Sequence, residues 1–165
     1  MPPTLQYWLL KTEPESFSIQ DLARAPNQTT CWDGVRNYQA RNFMRDQMKV
    51  GDRVLLYHSN ADPPCVVGTA VVVRESYPDS SAWDPSSHYY DAESKRDAPR
   101  WFMVDVKLES IWPRPLPLDE LRTMPKLTAM ELLRKGSRLS VQPVRKSEFD
   151  AILTAAKKPA RPDPS

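Results

Sequence analysis

The spacing of hydrophobic and polar positions changes several times along the chain, and each change marks an element. Leu5 to Lys11 is an apolar, aromatic run closed by Pro14, which suits a buried strand and is short for a helix. Ser18 with Asp21 three residues on forms a capping box for a short helix that Pro26 stops. Thr29 to Trp32 reads as a short strand. From Asn37, the positions Ala40, Phe43, Met44 and Met48 keep helical spacing until Gly51, with Arg41, Arg45 and Lys49 on other faces. That predicts an amphipathic helix with a basic side.

Alternation returns at Arg53 to His58, and Asn60 to Pro64 turns the chain into Cys65 to Val73, so the stretch reads as a hairpin. Gly68 inside its second strand predicts a bulge or a close backbone approach. Trp101 to Trp112 is the clearest strand, with Phe102, Val104, Val106 and Leu108 on one face and Met103, Asp105, Lys107 and Glu109 on the other. Pro113, Pro115 and Pro117 predict an extended linker. Thr128 with Glu131 predicts a capped helix ended by Gly136, Arg138 to Gln142 a last strand, and Ser147 with Asp150 the cap of a final helix with Phe149, Ile152 and Leu153 inward. Residues 1–156 then form one domain, and the basic, Pro-rich residues 157–165 a disordered tail.

Glu75 to Arg100 has no periodicity yet carries Tyr77, Trp83, His88, Tyr89 and Tyr90. Loops beyond ~12 to 15 residues in a compact domain bind something or are disordered, and aromatics argue against disorder. About five to six strands with interspersed short helices predict an α+β fold: a mixed, curled sheet or small barrel with helices packed outside.

Composition narrows the class. A chain of 165 residues favours one domain, and 40% hydrophobic with 27% charged residues excludes the disordered class. Seventeen Pro against four Gly disfavour an all-helical bundle. No apolar run approaches the ~20 residues of a membrane span, and the opening residues lack a basic segment followed by an apolar one, so a cytosolic location without a membrane partner is expected. Cys31 and Cys65 are too few for a disulfide framework and form no CxxC pair, so buried free thiols are expected and no zinc site.

The net charge of +2 conceals an uneven distribution. Residues 1–33 carry two basic and four acidic side chains, residues 36–53 five and two, and residues 134–161 eight and two. The last two segments supply positive charge of the kind phosphates attract, although a solvated face is the commoner reason for any one charge run.

Enzyme constellations are weak. A pair of Cys31 with His58 or His88 arises readily by chance, and the four glycines stand alone, which excludes Rossmann and P-loop readings. No HExxH, GxSxG or EF-hand loop is present, so no metal and no cofactor is expected. Lys11, Thr12 and Glu13 place an amine, a hydroxyl and a carboxylate where the first strand leaves the sheet. A desolvated Lys can activate a Thr nucleophile, but consecutive strand residues point to opposite faces and converge only at a bend.

Residues 31–42, Cys-Trp-Asp-Gly-Val-Arg-Asn-Tyr-Gln-Ala-Arg-Asn, are the most informative stretch. Trp32 ends a strand beside the Asp33-Gly34 turn, and the following helix begins with free amides that favour an anion. A Trp flanked by Arg36 and Arg41 suits base stacking and phosphate gripping, with Arg45 one turn further on. A lone Trp is more often core. Tyr57-His58-Ser59-Asn60 collects hydrogen-bonding groups at a hairpin tip, and Arg138-Leu139-Ser140 adds a guanidinium and a hydroxyl.

These blocks resemble a known family. Tyr-Trp-Leu-Leu-Lys-Thr-Glu-Pro from Tyr7, Trp-Asp-Gly-Val-Arg-Asn-Tyr-Gln-Ala-Arg-Asn from Trp32, Tyr-His-Ser-Asn from Tyr57, Pro-Arg-Trp from Pro99 and Arg-Leu-Ser-Val-Gln-Pro from Arg138 are similar, in that order, to the EVE domain of the PUA-like superfamily. The resemblance covers about residues 5–155 and implies a mixed β pseudo-barrel with a concave pocket, as in the YTH and SRA domains that accept a modified nucleobase extruded from its strand.

It implies a non-enzymatic reader of a modified base, a modified cytosine prominent among the proposals, in DNA or RNA; a monomer is expected. Trp32 resembles the cage Trp of YTH-like readers, and Lys11 with Thr12 resembles the pocket segment. Ser59, Asn60, Ser140 and Trp101 join the expected base-binding set, with Trp83 or Tyr89 as a second aromatic wall. Arg36, Arg41, Arg45 and Arg138 are the expected phosphate contacts. Two alternatives stay open: an amidohydrolase of the related ASCH-like branch, acting on an acylated pyrimidine nucleoside through Lys11, Thr12 and a carboxylate, and a protein-interaction module.

Overall fold

The computed structural model describes residues 5–158, so the expected tail beyond Lys158 lies outside the described residues. Six strands form one mixed sheet: β1 (Tyr7–Thr12), β2 (Thr29–Cys31), β3 (Arg53–His58), β4 (Cys65–Pro78), β5 (Phe102–Pro117) and β6 (Val141–Val144). Their order is β2-β5-β4-β3-β1-β6. Only β1 and β3 run parallel; each other pair is antiparallel. The sheet does not close, and β2 and β6 are its edges.

Both faces of the central strands are covered, which is why β1 reads as a continuous apolar run. Trp8 and Leu10 pack with Val54, Leu56, Val104 and Val106 beneath α1 (Ile19–Arg24) and α2 (Tyr38–Asp46). Leu9, Leu55 and Val66 face the other way, against α3 (Leu118–Leu121) and α4 (Lys146–Ala156), where Phe149 and Ile152 are fully buried. Asp52 fastens the first layer: its buried carboxylate accepts from the Trp8 indole at 2.9 Å and from the backbone amides of Gln6 and Lys49. Ser18 caps α1 through the reciprocal bonds its sequence announces.

Gly68 lies at a register shift between β4 and β5, where a Cβ would stand 2.1 Å from the Ser110 carbonyl oxygen. Only a residue without a side chain permits that approach.

Several sequence expectations need correction. Pro113 to Pro117 are not a linker but the end of β5, with Leu116 opposite Val66. Their spacing of two places all three missing donors on one side, which a strand tolerates where that side needs no ladder. The hairpin's second strand continues beyond Val73 to Pro78, and α2 ends at Asp46, before Met48. No α-helix starts at Thr128; that hydroxyl donates backward to the Pro125 carbonyl, and single 3-10 turns form at Pro125–Leu127 and Glu131–Leu133. The last strand starts at Val141 rather than Arg138. The final helix starts at Lys146, because buried Glu148, not Asp150, accepts the amide of the capping residue, Arg145 rather than Ser147. Cys31 is exposed, so it is not a core thiol, whereas half-buried Cys65 packs against the first core layer.

His58, at the end of β3, accepts the Ile19 amide through Nε2 at 3.1 Å, and burial holds its pKa below the ordinary 6.5. The folded protein therefore binds fewer protons here than the unfolded chain, so this contribution is complete above pH 6.5 and is lost progressively as pH falls below it. Urea unfolding from pH 7.5 to 5 is expected to show that decline, and His58→Gln, which keeps a neutral acceptor, to flatten it. An identical decline in the variant would assign the effect to other groups.

Candidate functional site

Parallel strands β1 and β3 end side by side, with Thr12 opposite His58, and the chain leaves both at the same edge. A cleft of about 630 Å³ opens there. The amide of Lys11 donates to the Ser140 carbonyl and that of Ser59 to the Thr12 carbonyl, so the three segments are locked together by backbone bonds of 2.9 and 3.0 Å. The turn after Thr12 supplies the bend that Lys11, Thr12 and Glu13 need, and all three line the cleft. Thr12 gives its hydroxyl proton to the Phe17 carbonyl at 2.7 Å.

Trp32 forms the inner wall. It is 8% exposed, its amide donates to Val104 of β5, and Phe17 meets it edge-on with ring centroids 6.2 Å apart. Tyr89 closes the outer side. Its ring lies against Gly34, whose φ of +79° and missing Cβ are both required, since a Cβ would meet the ring at 2.5 Å.

Asp79 holds this wall in place. Its fully buried carboxylate accepts from the Gly34 amide at 2.8 Å, the Arg36 guanidinium at 3.1 Å and both donors of Ser81. Arg36 makes four further hydrogen bonds, two of them to the Tyr89 carbonyl. The non-periodic connection is thus ordered by the partly buried Arg36–Asp79 ion pair, which ties it to residues 34–36.

Electrostatically the cleft is mixed. Burial lowers the pKa of Lys11, opposed by the carboxylate of Glu131. Burial and neighbouring Asp79 raise that of Asp33. Although Cys31 is exposed as a residue, partial desolvation at the cleft wall and the nearby Asp33 raise its pKa, which leaves its thiol a weak nucleophile. No group of three or more His, Cys, Asp or Glu among the described residues is placed to hold a metal ion.

Of the expected base-binding residues, Lys11, Thr12, Trp32, Ser59 and Ser140 meet at the cleft. Asn60, Trp83 and Trp101 do not line it. Asn60 is exposed with a φ of +52°. Trp83 sits under Arg96, its indole N–H buried and without a partner among the described residues. Trp101 donates to Asp91 at 2.7 Å and stacks on Tyr38. Of the expected phosphate contacts, Arg138 lines the cleft, whereas Arg36 is spent on Asp79, Arg41 on Asn42 and the Arg100 carbonyl, and Arg45 on Asp46. Sequence reasoning left Phe17 and Gly34 out of the set. The Phe17 signal was only its position three residues past Pro14.

A family model for the EVE domain matches residues 6–155. Thymocyte nuclear protein 1 of Mus musculus is 47% identical over 165 residues, spanning 90% of this chain and 72% of its own. A crystal structure of human THYN1 protein in complex with 5-methylcytosine-containing DNA superposes with a TM-score of 0.88 at 43% identity, covering 94% of this chain and 99% of that one. An ASCH protein from Zymomonas mobilis superposes with a TM-score of 0.52 at 12% identity, a likeness of fold alone.

Proposed function

We propose that this chain, which belongs to the EVE domain family, binds DNA carrying a modified cytosine and takes that base into the cleft beside Trp32. The observation that carries this reading is the convergence of aromatic walls with a short set of polar groups in a space of about 630 Å³. The human protein in the DNA complex, alike in fold at 43% identity, supports the choice of DNA and of a methylated cytosine.

The chemistry fits in detail. Trp32 and Tyr89 offer aromatic surfaces to the ring, and Phe17 adds an apolar edge for a 5-methyl group. Asp33 accepts from the exocyclic amine of cytosine, while Lys11 and the hydroxyls of Ser59 and Ser140 donate to its acceptor edge. Arg138, exposed at the rim, takes a flanking phosphate.

The amidohydrolase reading draws on the meeting of Lys11, Thr12 and Glu13 at the cleft. Against it, Thr12 already donates its proton to the Phe17 carbonyl, so Lys11 is not the base that hydroxyl faces. Titration of labelled duplexes with one 5-methylcytosine or one cytosine, matched RNA, and an acylated cytidine assayed for hydrolysis separates the readings. Tighter binding of the methylated duplex with no hydrolysis is expected. Equal affinity for both duplexes would sink the reader, and turnover of the nucleoside would install the enzyme. Arg138→Ala is expected to weaken both duplexes alike and to make the salt dependence shallower by about 0.9.

A further inference from the structure

We propose that the DNA backbone flanking the bound base runs from the cleft into a second groove, where Arg134, Lys135 and Arg138 hold successive phosphates; this rests on the base-binding reading above. The groove, of about 290 Å³, lies between the loop 134–139 and the start of α2, and Arg138 lines both it and the cleft. The two spaces are therefore neighbours through one side chain.

Charge selects this route. Two other arginines near the site are committed, Arg36 to the buried Asp79 and Arg41 to a carbonyl and Asn42, and Arg45 is held at two points by adjacent Asp46. The carboxylates lining the cleft, Glu13 and Asp33, repel a phosphate along their own segments. The groove instead sets three cations against one carboxylate, Glu131. That carboxylate is already occupied, since one oxygen accepts from the Ser137 hydroxyl at 2.9 Å and so pins the loop.

Its other oxygen stands 3.6 Å from Arg134, whose side chain is 75% exposed. An ion pair that open to water holds the guanidinium weakly, so its transfer to a phosphate costs little. Lys135 and Arg138 form no ion pair among the described residues. On the facing wall, the capping residue Asn37 and Gln39 at the start of α2 add neutral polar groups to the same groove.

Fluorescence anisotropy on wild type, the double variant Arg134→Ala/Lys135→Ala and the control Lys146→Ala tests the route, with duplexes carrying one 5-methylcytosine or one cytosine at several salt concentrations. Lys146 pairs with Asp150 on α4, away from the groove. The double variant is expected to lose about tenfold in affinity for both duplexes, with a salt slope shallower by about 1.8 and an unchanged methyl preference. The control keeps the wild-type slope. A double variant with wild-type affinity and slope, and with the methyl preference intact, overturns the groove while sparing the cleft. If wild type shows no methyl preference, the base reading falls, and a shallower slope in the double variant still upholds the groove.

Discussion

Asp79→Ala is expected to cost about 3 to 5 kcal/mol of folding stability, because it leaves a buried network without its only carboxylate. The Asp79 side chain is fully buried and the Arg36 side chain 23% exposed, so the partly wetted guanidinium moves the figure toward the lower end. The Gly34 amide and the Ser81 donors lose their acceptor in the same step. Because these groups hold the Tyr89 loop against residues 34–36, the loss extends beyond stability. The outer wall of the cleft is expected to loosen and, on the proposed reading, methylated-duplex binding to fall even under conditions where the protein is folded. Asp79→Asn keeps an acceptor oxygen without the charge, so it recovers the Gly34 bond and part of the stability. Urea unfolding with duplex titrations of both variants checks this. An alanine variant that unfolds at the wild-type midpoint would show that the loop is held by something other than this network.

That network explains where sequence reasoning stopped. Local features were legible: the apolar run of β1, the Ser18–Asp21 box, the Trp32–Arg36 segment beside the site, and the Gly68 approach all depend on neighbours in sequence or on a steric rule for one residue. Arg36 was not legible as a clamp, because its partner lies 43 residues away in a stretch without periodicity. The same distance hid which aromatic of that stretch reaches the cleft. Tyr89 does so because Gly34 leaves room for its ring, whereas Trp83 packs under Arg96 and Trp101 is held by Asp91. The helix expected after Thr128 failed for a local reason, since a threonine hydroxyl serves a carbonyl behind it as readily as an amide ahead. The Pro113–Pro117 stretch misled through composition, because three prolines on one side of a strand leave the other side free to pair.

On the proposed reading Trp32 is the residue at which stability and recognition meet, and two substitutions separate them. The indole is 8% exposed and packs among Val104, Val106 and the edge of Phe17, so Trp32→Ala is expected to cost about 3 to 5 kcal/mol of folding stability. Binding measured on that variant mixes unfolding with lost stacking. Trp32→Phe retains an aromatic ring and much of the buried area, so it folds with a fraction of that penalty. Its smaller π-face is expected to reduce affinity for the methylated duplex more than for the unmodified one, for which the proposed reading leaves chiefly phosphate contacts. Full removal of the stack is expected to cost on the order of 1 to 3 kcal/mol for the methylated ligand once the folded fraction is accounted for. Thermal melts fix that fraction, and paired duplex titrations below the melting range give the preference. A phenylalanine variant that is destabilised yet keeps the full methyl preference would make Trp32 a purely structural wall, with the stacking surface left to Tyr89.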